Sequence, residues 1–183
     1  MKKLGVKHIV ATGIGAALFF VLGRFVAIPS GIPDTNISLQ YGLLAFIAAV
    51  FGPIPGLLSG LIGHFFIDFS YGWGVWWSWV VSSAIFGGLV GWFSRKLKIE
   101  DGEFGKTDII KFNIGQIIGH LLAWAVIAPV LDIVIYAEPA NKVFVQGLVS
   151  AGVNIVTTAV VGTLLCIAYS SAIPGKGTLK EED

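Results

Sequence analysis

The sequence predicts an all-α membrane protein, a bundle of six transmembrane helices with both termini in the cytoplasm. Hydrophobic residues make up 55% of the 183 positions and charged residues only 13%, whereas soluble domains carry about 25% charged residues. The apolar residues are gathered in long stretches of the kind that cross a bilayer, and the basic residues fall on one side of them. We expect one integral membrane domain over 1–183, because no segment is left for a soluble domain.

The first three predicted spans are separated by turn signals. The first covers about 8–28 and ends at 29–34, where two prolines and a glycine cannot continue a helix. The second, about 37–50, and the third, about 57–69, flank the turn 52–56. Both are shorter than the roughly 20 residues that a bilayer needs, so we expect either turn residues at membrane depth or a tilted bundle in a locally thin membrane.

The last three predicted spans cover about 75–93, 109–135 and 143–172. The fourth ends at a basic cluster, and the hydrophilic stretch 99–107 follows as an aqueous loop. Pro129 is expected to bend the outer end of the fifth span. The sixth ends before Pro174, which begins a short charged tail.

The basic residues give the orientation. Ten of the twelve lie in segments that share one side if the amino terminus is inside. They are Lys2, Lys3, Lys7, Arg95, Lys96, Lys98, Lys106, Lys111, Lys176 and Lys180. Lys142 is outside and Arg24 lies within the first span. This asymmetry predicts a multi-pass protein of the cell membrane, in contact with lipid, with both ends inside.

Several kinds of site are excluded by the sequence. The single cysteine, Cys166, permits neither an intramolecular disulfide nor a CxxC site. The chain lacks GxxxxGK[ST], GxSxG and HExxH patterns, and its basic residues form no stripe for nucleic acid. His64, Asp68 and His120 could hold a metal, but without a second histidine pair we expect no metal and no cofactor.

Polar residues within the spans predict a binding pocket. Such residues cost a few kcal/mol each at membrane depth, and here they gather toward the outer side, beside tryptophans at the start of span four. A pocket with indole walls and mixed polar groups suits a small planar heterocycle. The predicted substrate-binding residues are Asn36, Gln40, His64, Asp68, Trp76, Trp79, His120, Trp124 and Asn154. Structural roles remain open: Arg24 could pair with Asp68, the histidines could bond neighbours, and the indoles could form an interfacial belt.

Four stretches carry a family resemblance: 11–19, the loop 28–36, the turn 51–53, and 63–68 with the tryptophans after it. They resemble the substrate-binding S components of energy-coupling factor (ECF) vitamin transporters. Within these, the chain is most similar to the uncharacterised group of hydroxymethylpyrimidine or riboflavin type.

The resemblance implies a non-enzymatic subunit that binds a vitamin from outside. A T component and two ATPase subunits would then power uptake. It further implies that Ala11 and Gly15 dock to the T component and that 29–36 covers the site. A hydroxymethylpyrimidine- or pyridoxine-like substrate is favoured, with riboflavin as the alternative.

Two other functions remain open. One is a self-sufficient proton-coupled carrier with a relay through His64, Asp68 and His120. The other is a membrane enzyme that uses Asp68 and His64 as an acid/base pair.

Overall fold

The computed structural model describes residues 5–32, 35–72 and 74–173, which are mostly helical. The helices are α1 (Val6–Phe25), α2 (Gln40–Phe51), α3 (Pro53–Tyr71), α4 (Trp77–Ser94), α5 (Lys106–Leu122), α6 (Ala128–Tyr136) and α7 (Ala140–Ala172). A 3₁₀ turn, Ile99–Asp101, precedes α5. The chain is mostly helical, as expected of the all-α class. In addition, β1 (Ile28–Ile32) and β2 (Thr35–Ile37) pair as an antiparallel hairpin between α1 and α2.

Close backbone approach joins α3 to α4. A Cβ atom at Gly60 would lie 2.6 Å from the Ser83 carbonyl oxygen, and one at Gly91 would lie 2.5 Å from the Pro53 Cα atom. Small residues are needed where helix backbones pack this closely. The glycines therefore fix α3, which carries His64, against α4.

Helix α1 packs against α3 through its own small residues. Ala11 is buried, and a Cβ atom at Gly15 would lie 2.7 Å from Ser59 Oγ. The expected docking residues Ala11 and Gly15 are thus buried within this chain. The small residues on the exposed side of α1 are Gly13 and Ala17.

The predicted fifth span is one helical rod interrupted by a π-helical segment. The segment Ala123–Ile127 joins α5 to α6, and Pro129 lies in the first turn of α6. Proline lacks an N–H and its ring crowds the carbonyl oxygen four residues back. A wider π turn just before it relieves this conflict.

The bundle encloses polar side chains within an apolar core, and its outer surface is apolar. Ser59, Ser83, Gln116, His120 and Thr158 are almost fully buried. The exposed large hydrophobic residues of α7 are Phe144, Val145, Leu148, Val156, Val160, Leu164 and Ile167. This arrangement is typical of a protein whose solvent is lipid.

Three described helical rods are long and apolar enough to cross a membrane: Val6–Phe25, Lys106–Tyr136 and Ala140–Ala172. The count of six spans and the cytoplasmic termini remain predictions. Both chain ends, 1–4 and 174–183, lie outside the described residues.

Candidate small-molecule binding site

A cavity of about 270 Å³ lies between α3, the start of α4, α6 and α7. The residues that line it are His64, Asp68, Trp76, Trp79, Asp132, Glu138, Lys142, Val143 and Gln146. Its carboxylates Asp68 and Asp132 are buried, whereas Trp76 and Lys142 are exposed. The cavity therefore combines a buried polar interior with an accessible rim.

His64 and Asp68 lie one turn apart on α3 and face the same cavity. His64 Nε2 is 3.6 Å from Asp68 Oδ1, which is longer than a hydrogen bond. The other carboxylate oxygen of Asp68 accepts the Trp76 backbone N–H at 2.8 Å. One carboxylate oxygen and one ring nitrogen thus stand side by side at the cavity.

The orientation of His64 is set from behind by two hydroxyl groups. His64 Nδ1 is 2.5 Å from Ser83 Oγ, which is 3.1 Å from the Tyr41 hydroxyl. If Nε2 carries the hydrogen, which suits the neighbouring carboxylate, Ser83 donates to Nδ1 and Tyr41 donates to Ser83. In this tautomer His64 presents an N–H donor to the cavity.

Asp132 on α6 binds both indole rings of the cavity wall. Its Oδ1 accepts the Trp76 indole N–H at 2.7 Å, and its Oδ2 accepts the Trp79 indole N–H at 2.9 Å. The Ser78 hydroxyl donates to Oδ1 as well. Because Asp132 accepts from three donors in the closed interior, it fixes α4 and the chain before it against α6.

Two further aromatic rings support the indoles. The ring of Tyr136 stacks on Trp76 with centroids 4.2 Å apart, and the Tyr136 hydroxyl accepts the Trp77 backbone N–H at 2.9 Å. Trp124 lies behind Trp79 with centroids 5.3 Å apart. Each of the two cavity-lining indoles, Trp76 and Trp79, is therefore packed against a second aromatic ring.

The accessible side of the cavity includes the connection between α6 and α7. Ala137 ends α6 with a left-handed backbone, φ 54°, which turns the chain back toward α7. Glu138 and Lys142 then form an ion pair at 3.0 Å. This pair lies in the segment that the sequence predicts to be an outer loop.

The structure does not bring His120 and Trp124 to the cavity. Both are fully buried. The Trp124 indole N–H donates to His120 Nδ1 at 3.0 Å, and His120 Nε2 is 3.0 Å from Thr158 Oγ1. Their polar atoms are paired within the core and neither residue is in the cavity lining, so their contact with a substrate stays a prediction.

Three other predicted site residues also lie away from the cavity lining. Gln40 is buried and accepts from Ser38 Oγ at 2.6 Å. Asn36 is exposed in the hairpin, opposite Pro29. Asn154 is buried on α7, eight residues beyond Gln146, which is about two helical turns.

Arg24 has other partners than Asp68. Its Nε atom donates to Ser70 Oγ at 3.1 Å, and its guanidinium lies 4.2 Å from the centre of the Tyr71 ring. Among the described residues no ion pair joins it to Asp68. The possible structural neutralisation of Asp68 by Arg24 is therefore excluded for this conformation.

Asp132, Glu138, Lys142, Val143 and Gln146 line the cavity but were not among the predicted site residues. Asp132 could have been found, because it is an ionisable residue inside an apolar span, the same signal that marked Asp68. Glu138 and Lys142 carried no such signal in a connecting segment. No group of three metal-binding side chains converges in the described part of the chain.

The chain is similar in sequence to known proteins over nearly its whole length. The family model described as "ECF-type riboflavin transporter, S component" matches residues 3–171. The chain is 52% identical over 184 residues to UPF0397 proteins of Staphylococcus aureus strains MSSA476 and Newman, with all of both chains covered.

Two solved structures share the fold. One is FolT bound with folic acid, with a TM-score of 0.62, 16% identity, and coverage of 88% of this chain and 98% of that one. The other is the S component for biotin from an ECF-type ABC transporter. There the TM-score is 0.61, the identity 17%, and the coverage 88% and 89%.

Proposed function

Because the chain belongs to the ECF-type riboflavin transporter S component family, we propose that it is the substrate-binding subunit of an ECF importer for a small heterocyclic vitamin or vitamin precursor. The observation that carries the proposal is the cavity in which a carboxylate, an imidazole and two indoles meet. The vitamin enters from outside the cell, and the chain itself is no enzyme.

The size of the cavity favours a substrate with one ring. Pockets for drug-sized ligands occupy about 300–1,000 Å³, and this cavity is about 270 Å³. A hydroxymethylpyrimidine or a pyridoxine-like molecule matches that volume better than a three-ring flavin with its ribityl chain. Riboflavin is the second candidate, since the matching family model bears its name.

His64 and Asp68 supply the polar recognition in this proposal. The His64 N–H donates to a ring nitrogen or oxygen, and Asp68 Oδ1 accepts from an amino or hydroxyl substituent next to it. The separation of 3.6 Å between these two atoms suits adjacent groups on the edge of one ring. The indoles of Trp76 and Trp79 enclose the flat ring.

The hairpin serves as the cover of the site. It joins α1 to α2, and β2 packs against α7, which contributes Lys142, Val143 and Gln146 to the cavity lining. Movement of a short hairpin against one helix would admit the vitamin without a change in the bundle. Residues 33–34, at the tip of the predicted cover, lie outside the described residues.

The outer face of α1 is the proposed docking site for the T component, which two ATPase subunits would drive. Gly13 and Ala17 are exposed one turn apart, and a Cβ atom at Gly13 would meet no atom within 4 Å. Small residues at this spacing allow another helix to approach closely in lipid. They replace Ala11 and Gly15 in the docking proposal.

A binding experiment without ATP tests the function. Protein purified in a non-ionic detergent is examined by native mass spectrometry for a retained vitamin. It is then titrated with hydroxymethylpyrimidine, pyridoxine, riboflavin, folate and biotin. We expect saturable binding of one single-ring vitamin, weakened at least tenfold by Asp68→Asn.

The matched control is Glu103→Gln, which makes the same chemical change in an exposed ion pair with Lys98. No binding of any vitamin would contradict the proposed function. Unchanged affinity in Asp68→Asn would remove Asp68 from the site.

A further inference from the structure

The charges around the cavity are unbalanced. Asp68 and Asp132 are both buried, with relative exposures of 7% and 2%. The other charged residues of the lining, Glu138 and Lys142, pair with each other at 3.0 Å on the accessible side. The described lining thus holds three carboxylates and one cationic side chain, Lys142, so negative charge is in excess.

The protonation state of His64 does not remove the imbalance. In the tautomer described above His64 is neutral and donates through Nε2. If it took up a proton, one imidazolium would face two carboxylates, and the inner cavity would still be negative. Arg24 lies against Ser70 and Tyr71 and is not part of the lining.

The two indole rings also favour a cationic ligand. Both of their N–H groups are directed to Asp132, so neither is available as a donor for a carbonyl or carboxylate of the ligand. What they offer is their ring surface, which carries a negative quadrupole and attracts cations within about 6 Å of the ring centre. One face of Trp76 is covered by Tyr136, and the Trp76 side chain also lines the cavity.

We propose that this site binds its substrate as a cation, a nitrogen heterocycle with a protonated or quaternary ring nitrogen held between Asp68 and the indole faces of Trp76 and Trp79. The inference rests on the proposed function and makes its substrate class more specific. A neutral flavin and the carboxylates of folate or biotin are disfavoured, since they bring no positive charge to the two carboxylates.

A pair of isosteric probes isolates the charge. The 3-(hydroxymethyl)-1-methylpyridinium cation and 3-methylbenzyl alcohol have the same shape and differ by one ring atom, N⁺ in place of C. Their dissociation constants are measured by tryptophan fluorescence and by saturation-transfer NMR, in one non-ionic detergent at one ionic strength. We expect the cation to bind at least tenfold more tightly; equal binding, or preference for the alcohol, would overturn the inference.

Two variants test whether the preference for the cation arises at Asp68. Asp68→Asn should reduce the preference for the cation at least threefold with little change in the affinity for the alcohol, whereas Glu103→Gln should leave both unchanged. The same loss of preference in both variants would show that the charge effect does not arise in the cavity. If Asp68→Asn does not fold, the wild-type ratio of the two probes decides alone.

The retained vitamin separates this inference from the proposed function. A bound heterocycle with a protonated or quaternary ring nitrogen supports both. Bound riboflavin, or a bound vitamin that is an anion, overturns the cation inference and leaves the proposed function in place. Absence of binding by every vitamin and by both probes contradicts the proposed function itself.

Discussion

Replacement of Asp132 by asparagine tests how the indole wall is held. The carboxylate accepts from Trp76, Trp79 and Ser78, whereas an asparagine side chain has one oxygen acceptor and one NH₂ donor group. If the asparagine oxygen keeps the hydrogen bonds from Trp76 and Ser78, its NH₂ group faces the Trp79 indole N–H. One hydrogen bond is lost, and two buried donors confront each other.

The expected cost follows from these contacts. Loss of a hydrogen bond to a charged group costs about 1.5–3 kcal/mol. The two remaining bonds lose their charge assistance, about 1 kcal/mol each. Removal of a buried charge offsets part of this, so we expect Asp132→Asn to lower the free energy of unfolding by about 2–4 kcal/mol. For a chain of this length that corresponds to a fall in Tm of roughly 5 °C or more.

The assay is thermal unfolding in detergent, followed by tryptophan emission and paired with vitamin binding. We expect a lower Tm and at least tenfold weaker binding, because the rings that enclose the ligand are no longer held. Ser78→Ala, which removes one donor, should have a smaller effect, and Glu103→Gln should have almost none. An unchanged Tm and affinity in Asp132→Asn would refute the role of Asp132 as the anchor of the wall.

Three other changes test the packing, the orientation of the imidazole and the docking face. Gly147→Ala should destabilise the protein by about 1–3 kcal/mol, because the new Cβ atom would overlap the Trp124 carbonyl oxygen. Gly152→Ala on the same helix meets no atom within 4 Å and should be neutral or stabilising in thermal unfolding; equal falls in Tm would contradict this reasoning. Ser83→Ala removes the donor to His64 Nδ1 and should weaken vitamin binding about fivefold, whereas Ser82→Ala, whose hydroxyl donates to the Ser78 carbonyl, should not; equal dissociation constants would remove Ser83 from the site. Gly13→Leu should abolish co-purification with the T component and leave vitamin binding intact, and retention of the complex, or the same loss in Gly152→Leu, would argue against docking through this face of α1.

The proximity of His64 and Asp68 follows from their helical spacing. Residues four apart share a helix face, and the two side chains do face each other across 3.6 Å. The same rule held for His120 and Trp124, which are joined by a hydrogen bond. Spacing gives the partner of a residue on its own helix, but it does not say which neighbouring helix that face meets, and here it meets Phe86 and Thr158.

The position of Asp132 depends on the π-helical segment, which no sequence pattern predicted. At 3.6 residues per turn, Asp132 would lie about 120° around the axis from His120. A π turn rotates less per residue, so the segment Ala123–Ile127 brings Asp132 back toward the inner face. Pro129, which is expected from the sequence to bend the outer end of this span, lies two residues beyond the segment. The change of helical phase accounts for the place of Asp132 in the cavity lining.

Two sets of buried polar groups in this bundle differ in a way that bears on function. His120, Trp124 and Thr158 form hydrogen bonds with one another. These bonds offset the free-energy cost of burying their polar atoms in apolar surroundings. His64 and Asp68 are each held from one side, by Ser83 and by the Trp76 backbone, yet their facing atoms stay too far apart to bond. Rigid support on one side and an unmade bond on the other is the arrangement expected of groups that complete their hydrogen bonding with a ligand.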